Sequence, residues 1–287
     1  MRRLLPAVFA LALLPAEARA DIDEFTTAAR NLAADADTGP LTNGLHYFAS
    51  NERDLDLVAD AVQDTGEVVV AVAADPGYIL AAWADARALV LIDLDPAIVA
   101  LHRIYAAFFA AAPGPAEFSR LWTPAGEAEA LALVKAAGGE ALVETFVAAR
   151  PAVARRFAEL ERHMASKGRA WLLSDPRLYA RVAGLVRANR VIALRGDFTR
   201  AGTVRAVAET LRAADLRVGL CTCRTSSSTF VHARVPAKRA GAPLAGGQVL
   251  HAAGPPGRFR VHPAAGRRLP GVGAEPEGPL GLPDPRI

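Results

Sequence analysis

The sequence predicts an α/β domain, Rossmann-like, in which a mostly parallel sheet is covered by helices on both faces. Three observations predict it. Strand-length apolar runs alternate with helical patterns from about residue 50 to residue 220, the arrangement that builds parallel sheets from β-α-β units. Residues 67–73 are continuously apolar after Glu67 rather than alternating, as befits a strand buried on both faces. Composition changes abruptly near residue 221, which separates the domain from a tail.

The N-terminus reads as a signal peptide over residues 1–20. Arg2 and Arg3 form a positive n-region, residues 4–14 an apolar h-region, and Ala18-Arg19-Ala20 a cleavage pattern ahead of Asp21. The apolar run is too short to span a bilayer, and no later stretch approaches ~20 unbroken apolar residues. The mature protein is therefore expected outside the cytoplasm, periplasmic or secreted, with no stable membrane insertion after cleavage.

Within residues 21–220 the elements follow in order. Residues 21–36 form an alanine-rich helical candidate carrying Phe25 and Leu32. A short helix, opened by Ser50-Asn51-Glu52, places Leu55, Val58 and Val62 at helical spacing. The strand at 67–73 is followed by a helix at 78–84, a strand at 88–92 and a helix at 96–110 whose Ile98, His102, Tyr105 and Phe109 share one face. Residues 127–165 are helical in pattern, interrupted at Gly138-Gly139 and Pro151. A helix at 176–188, a strand at 191–194, a helix at 203–213 and a strand at 216–220 complete the domain.

Residues 221–287 hold nine Lys/Arg against three Asp/Glu and ten of the twenty prolines, with no sustained periodicity, so this tail is expected to be disordered. The chain's formal charge of +3 resides there. Residues 21–220 carry 21 Lys/Arg against 26 Asp/Glu, a net charge that excludes a basic nucleic-acid-binding surface spread over the fold. Cys221 and Cys223 both lie beyond the domain, which rules out a disulfide framework or a cysteine-rich metal site within it. No metal is expected.

Ligands of open α/β sheets bind beyond the carboxyl ends of the strands, which selects Asp75 and Tyr78 after the first strand, Asp93 after the second and Asp197 after the third. Asn51 and Glu52 join them from the preceding loop. Asp93 follows Ala73 by twenty residues, the distance at which an acid meets a nucleotide ribose. The glycine-rich turn that accompanies such an acid is missing, because Ala71, Ala73 and Ala74 stand where a phosphate or a methionine group needs close backbone approach. Other polar residues have structural explanations. Asp95 before Pro96, and Ser174 or Asp175 before Pro176, are ready helix N-caps. Ser50 or Asn51 serves either a cap or a site, and His102 on an apolar helix face reads as a core histidine. G-x-S-x-G, H-E-x-x-H and P-loop motifs are absent.

Several of these residues also carry a resemblance. Phe48-Ala49-Ser50-Asn51-Glu52, the run from Ala71 to Asp75, Tyr78, Ile92-Asp93-Leu94 with His102 and Tyr105, and residues 191–197 together resemble an uncharacterised bacterial family with a methyltransferase-like Rossmann fold, represented structurally by a leptospiral protein. The likeness covers about residues 45–220. It implies a methyltransferase-like architecture of unestablished activity. Ala71, Ala73, Pro76 and Gly77 depart from the family's glycine-valine-glycine turn, and Asp95 and Pro96 stand where it carries arginines. Two functions are thus in view: an exported, non-catalytic protein binding a small-molecule ligand, or an S-adenosylmethionine-dependent methyltransferase-like enzyme with Asp93 on the ribose and Asn51, Glu52 and Asp197 around the reacting group. Export favours the first, since S-adenosylmethionine is made and used in the cytoplasm. Where this chain reads residues 220–231, the family has a strand ending in tyrosine-x-serine-asparagine-x-glutamate. One back-translation of that segment, read from its third nucleotide, yields Val-Tyr-Val-Ser-Asn-Val-Glu, so the tail is expected to be a frameshift product.

Overall fold

The structure, a computed structural model, describes residues 16–35, 41, 44–52, 54–72, 74–198, 202–225, 229–233, 248–252 and 259–263, with side chains among those from 21 to 222. Four parallel strands form its centre: β1 (Val68–Ala71), β2 (Ala88–Asp93), β3 (Val191–Arg195) and β4 (Val218–Thr225). They lie in the order β3-β2-β1-β4, so the chain steps outward from β1 to β3 and returns to β4 on the other side of β1. That reversal opens a crevice between the carboxyl ends of β1 and β4.

The sheet is covered on both faces, as the unbroken apolar strands require. Because strand side chains alternate, Val69 and Ala71 of β1 and Leu89 and Leu91 of β2 enter one core, while Val68, Val70, Ala88, Val90 and Ile92 enter another. The larger core receives α3 (Pro76–Ala84), α4 (Pro96–Ala111), α5 (Pro115–Leu121), α6 (Glu127–Ser166) and α7 (Pro176–Arg187). The smaller receives α1 (Ala16–Arg30) and α8 (Gly202–Ala213). The short α2 (Ala59–Val62) follows a single 3-10 turn at Leu55–Val58.

Local chemistry sets the boundaries. Asp95 caps α4 by accepting the Ala97 N–H at 2.8 Å, and Asp175 caps α7 by accepting that of Arg177, also at 2.8 Å; proline follows each cap, as expected. Neither Ser50 nor Asn51 caps a helix: the residue before the 3-10 turn is Asp54. Gly139, at φ +69°, breaks α6 into two helical segments at the glycine pair. Beyond residue 220, β4 runs on to Thr225, and the described residues of the tail comprise three short antiparallel strands, β5 (Thr229–Ala233), β6 (Gln248–Ala252) and β7 (Phe259–Pro263). The rest of that segment, like residues 1–15, lies outside the described residues. Among the described side chains of α1, Ile22, Phe25 and Ala29 pack into the smaller core. Among the described residues no helix is long and apolar enough to cross a membrane.

Candidate functional site

Asp75 lies at the end of the β1–α3 connection, beside the crevice. It is 2 % exposed, and its two carboxylate oxygens are divided between two partners. Oδ1 accepts the Ser50 backbone N–H at 2.8 Å, and Oδ2 accepts Nε–H of Arg156 at 2.9 Å. Arg156, itself 5 % exposed, donates through Nη2 to the carbonyl of Glu52. One buried guanidinium therefore ties the first strand's loop and the 49–52 segment to α6. Charges are buried at such a cost that pairing of this kind is obligatory.

Asn51, Glu52 and Asp75 are thus brought together. Glu52 is buried and takes part through its backbone, its N–H donating to Ser50 Oγ at 3.1 Å. Asn51 is exposed at the mouth of a cavity of about 220 Å³ lined also by Ala49, Ser50, Arg155, Arg156 and Glu159. A second cavity of about 250 Å³, between Arg156, Glu159, Leu160 and His163, adjoins it through the two residues they share. The result is a polar groove between residues 49–52 and α6, with Arg156 as its floor. His163 Nε2 lies 2.6 Å from Asp56 Oδ1 beside the second cavity.

The remaining predicted residues stand apart from the groove. Tyr78 belongs to the core, 1 % exposed, with its hydroxyl 3.1 Å from Nδ1 of His102 and its ring 4.9 Å from that of Tyr105. Burial pushes both phenols well above their usual range and holds the His102 imidazole down at about 3. His102 is therefore a neutral core histidine. Asp93, half-buried at the end of β2, accepts the Asp95 N–H on Oδ1 at 2.9 Å, and its carbonyl accepts the Gly196 N–H at 2.9 Å. Asp197 follows β3, two strands from β1, a separation of about 10 Å at the usual strand spacing; its N–H donates to Asp35 Oδ2 at 3.0 Å.

The β1–α3 turn does not fit an S-adenosylmethionine or dinucleotide site. Every residue of α3 is buried, and Asp75 is held by Ser50 and Arg156. Gly77 serves helix packing: a Cβ there would lie 2.5 Å from Leu91 Cδ2 and 3.1 Å from the Ala71 Cβ. Its missing side chain admits the sheet, not a ligand. Among the described residues no group of three or more His, Cys, Asp and Glu is placed to hold a metal.

Sequence reasoning missed Arg156, Arg155, Glu159 and His163. For Arg156 a signal existed. It stands three residues after Val153 and four before Leu160, both buried, so a charged residue occupies the core-facing stripe of the helix.

A four-stranded parallel sheet in the order β3-β2-β1-β4, covered by helices on both faces, defines a Rossmann-like α/β protein. More narrowly, the chain matches the model of a family described as a domain of unknown function, DUF7790, over residues 47–221, and it belongs to that family. No curated protein matches it.

Proposed function

We propose that this is an exported protein that binds a small polar molecule, without transforming it, in the groove between residues 49–52 and α6. The observation that carries this reading is the Asp75–Arg156 pair. It closes the turn where a nucleoside cofactor would lie and simultaneously makes the floor of the adjoining groove. Size points the same way, since each lobe of the groove is smaller than the roughly 300 Å³ at which pockets for drug-sized ligands begin. The expectation of export rests on the N-terminal pattern, and the packing of α1 is compatible with it, because cleavage after Ala20 leaves Ile22, Phe25 and Ala29 in place.

Titration calorimetry of the full chain with S-adenosylmethionine and its demethylated product tests the reading against the methyltransferase-like alternative. No heat of binding is expected from either compound. Micromolar binding abolished by Asp93→Ala would establish the alternative, in which the half-buried acid at the end of β2 takes a ribose.

A further inference from the structure

We infer that the groove's ligand is a small zwitterion of the free α-amino-acid class, an assignment that rests on the groove being a binding site. The charges around it are already sorted into pairs, with two exceptions. Asp75 is matched by Arg156, and Asp56 is hydrogen-bonded to His163. Arg155 and Glu159 line the same cavity, and neither makes an ion pair or hydrogen bond among the described residues. They stand four residues apart on α6, where side chains are neighbours on the helix surface, yet they do not bridge each other. The groove thus presents one uncommitted cation and one uncommitted anion, both exposed, on successive turns of α6.

A lone anion would find Arg155 but also the repulsion of Glu159, and a lone cation the reverse. A molecule carrying a carboxylate and an ammonium meets both. The carboxylate lies against Arg155 on the side of Ser50 and Asn51. Ser50 Oγ accepts the Glu52 N–H, which leaves its own hydrogen to donate, and the exposed Asn51 amide supplies further donors. The ammonium lies against Glu159. Because isolated exposed ion pairs contribute little, neither half suffices alone, and the selectivity resides in linking the two. The buried guanidinium beneath fixes the 49–52 segment against α6 and so holds the donors in place before the ligand arrives.

The test is titration calorimetry of the full chain with glycine and L-alanine, with acetate and methylammonium as the separate halves, and with S-adenosylmethionine. The zwitterions are expected to bind about tenfold or more tightly than either half. Arg155→Gln and Glu159→Gln should each weaken that binding by about the same factor while leaving the melting temperature of the unliganded protein unchanged. Acetate binding as tightly as glycine, glycine binding insensitive to Glu159→Gln, or no heat from either amino acid would overturn the assignment. The zwitterion and the groove are distinguished by different outcomes. Silent amino acids together with silent S-adenosylmethionine remove the zwitterion alone, whereas S-adenosylmethionine binding that is lost in Asp93→Ala and kept in both rim variants removes the groove reading itself.

Discussion

Arg156 joins three parts of the chain that are remote in sequence: it reaches Asp75 81 positions away and Glu52 104 positions away. Removing a single partner of a buried pair leaves the other charge uncompensated, so Arg156→Met should cost about 3–5 kcal/mol. Urea denaturation of the two forms measures this, and the double variant with Asp75→Asn should recover part of the loss. A change below about 1 kcal/mol would mean that the pair is solvated. His102 supports a second expectation. Its folded-state pKa, at about 3, lies below the unfolded value near 6.5, so the stability it contributes is complete above pH 6.5 and is lost as pH falls toward 3. Between neutral pH and pH 5 this amounts to about 2 kcal/mol, in a window above the usual carboxylate range. Melting curves should therefore descend from pH 6.5 to 5, and less steeply in His102→Gln. The same residues show what was legible. Asn51, Glu52 and Asp75 are legible in the sequence as candidates because strand ends and their preceding loop are where α/β folds place sites. For Arg156 the local pattern shows only a charge on the core-facing stripe of α6; which partners it takes is set by tertiary packing, which a local pattern does not encode.

At the scale of elements, the apolar runs located β1, β2 and β3, because strands buried on both faces leave a continuous signal. Proline after aspartate located the starts of α4 and α7, and Gly138-Gly139 the break in α6. Less legible were the ends of elements. The first helix stops at Arg30 rather than near residue 36, and α5, seven residues after Gly114, has too few turns to show a periodicity. Tyr78 was read as a strand-end site residue because the helix was expected to begin at residue 78, whereas α3 begins at Pro76 and turns that side chain into the core. The packing of α3 on β1 and β2 is close enough to predict a result. Gly77→Ala places a methyl group within 2.5 Å of Leu91 Cδ2, and overpacking of this kind costs about 1–3 kcal/mol. The thermal midpoint should fall by several degrees. An unchanged midpoint would show that Leu91 can move aside and that the contact is loose.

For the whole molecule, the open question is the origin of the chain beyond Cys221. The family match ends at residue 221, the position beyond which acidic residues all but disappear and proline more than triples its share, and this boundary falls inside β4 rather than at a loop. A strand in the middle of a sheet is a poor place for a natural domain to end, since its neighbours depend on it for backbone hydrogen bonds. Here Val70 of β1 pairs with Cys221, and the Val72 N–H donates to Thr222 Oγ1 at 3.3 Å. The expectation is that residues from about Cys221 onward derive from a shifted reading frame. In one back-translation of residues 220–231, read from its third nucleotide, the strand would continue as Val-Tyr-Val-Ser-Asn-Val-Glu, which would set serine, asparagine and glutamate beside the carboxyl end of β1, next to the crevice and close to the loop that carries Asp75. The groove described above would then be one wall of a larger polar site. Resequencing the locus and measuring the intact mass of the native protein decide between the frames. An inserted or missing nucleotide near codon 221, with a mass that departs from a product ending at Ile287, is the expected result; confirmed nucleotides in the present frame with the matching mass would make the tail genuine and the strands β5, β6 and β7 part of the native sheet.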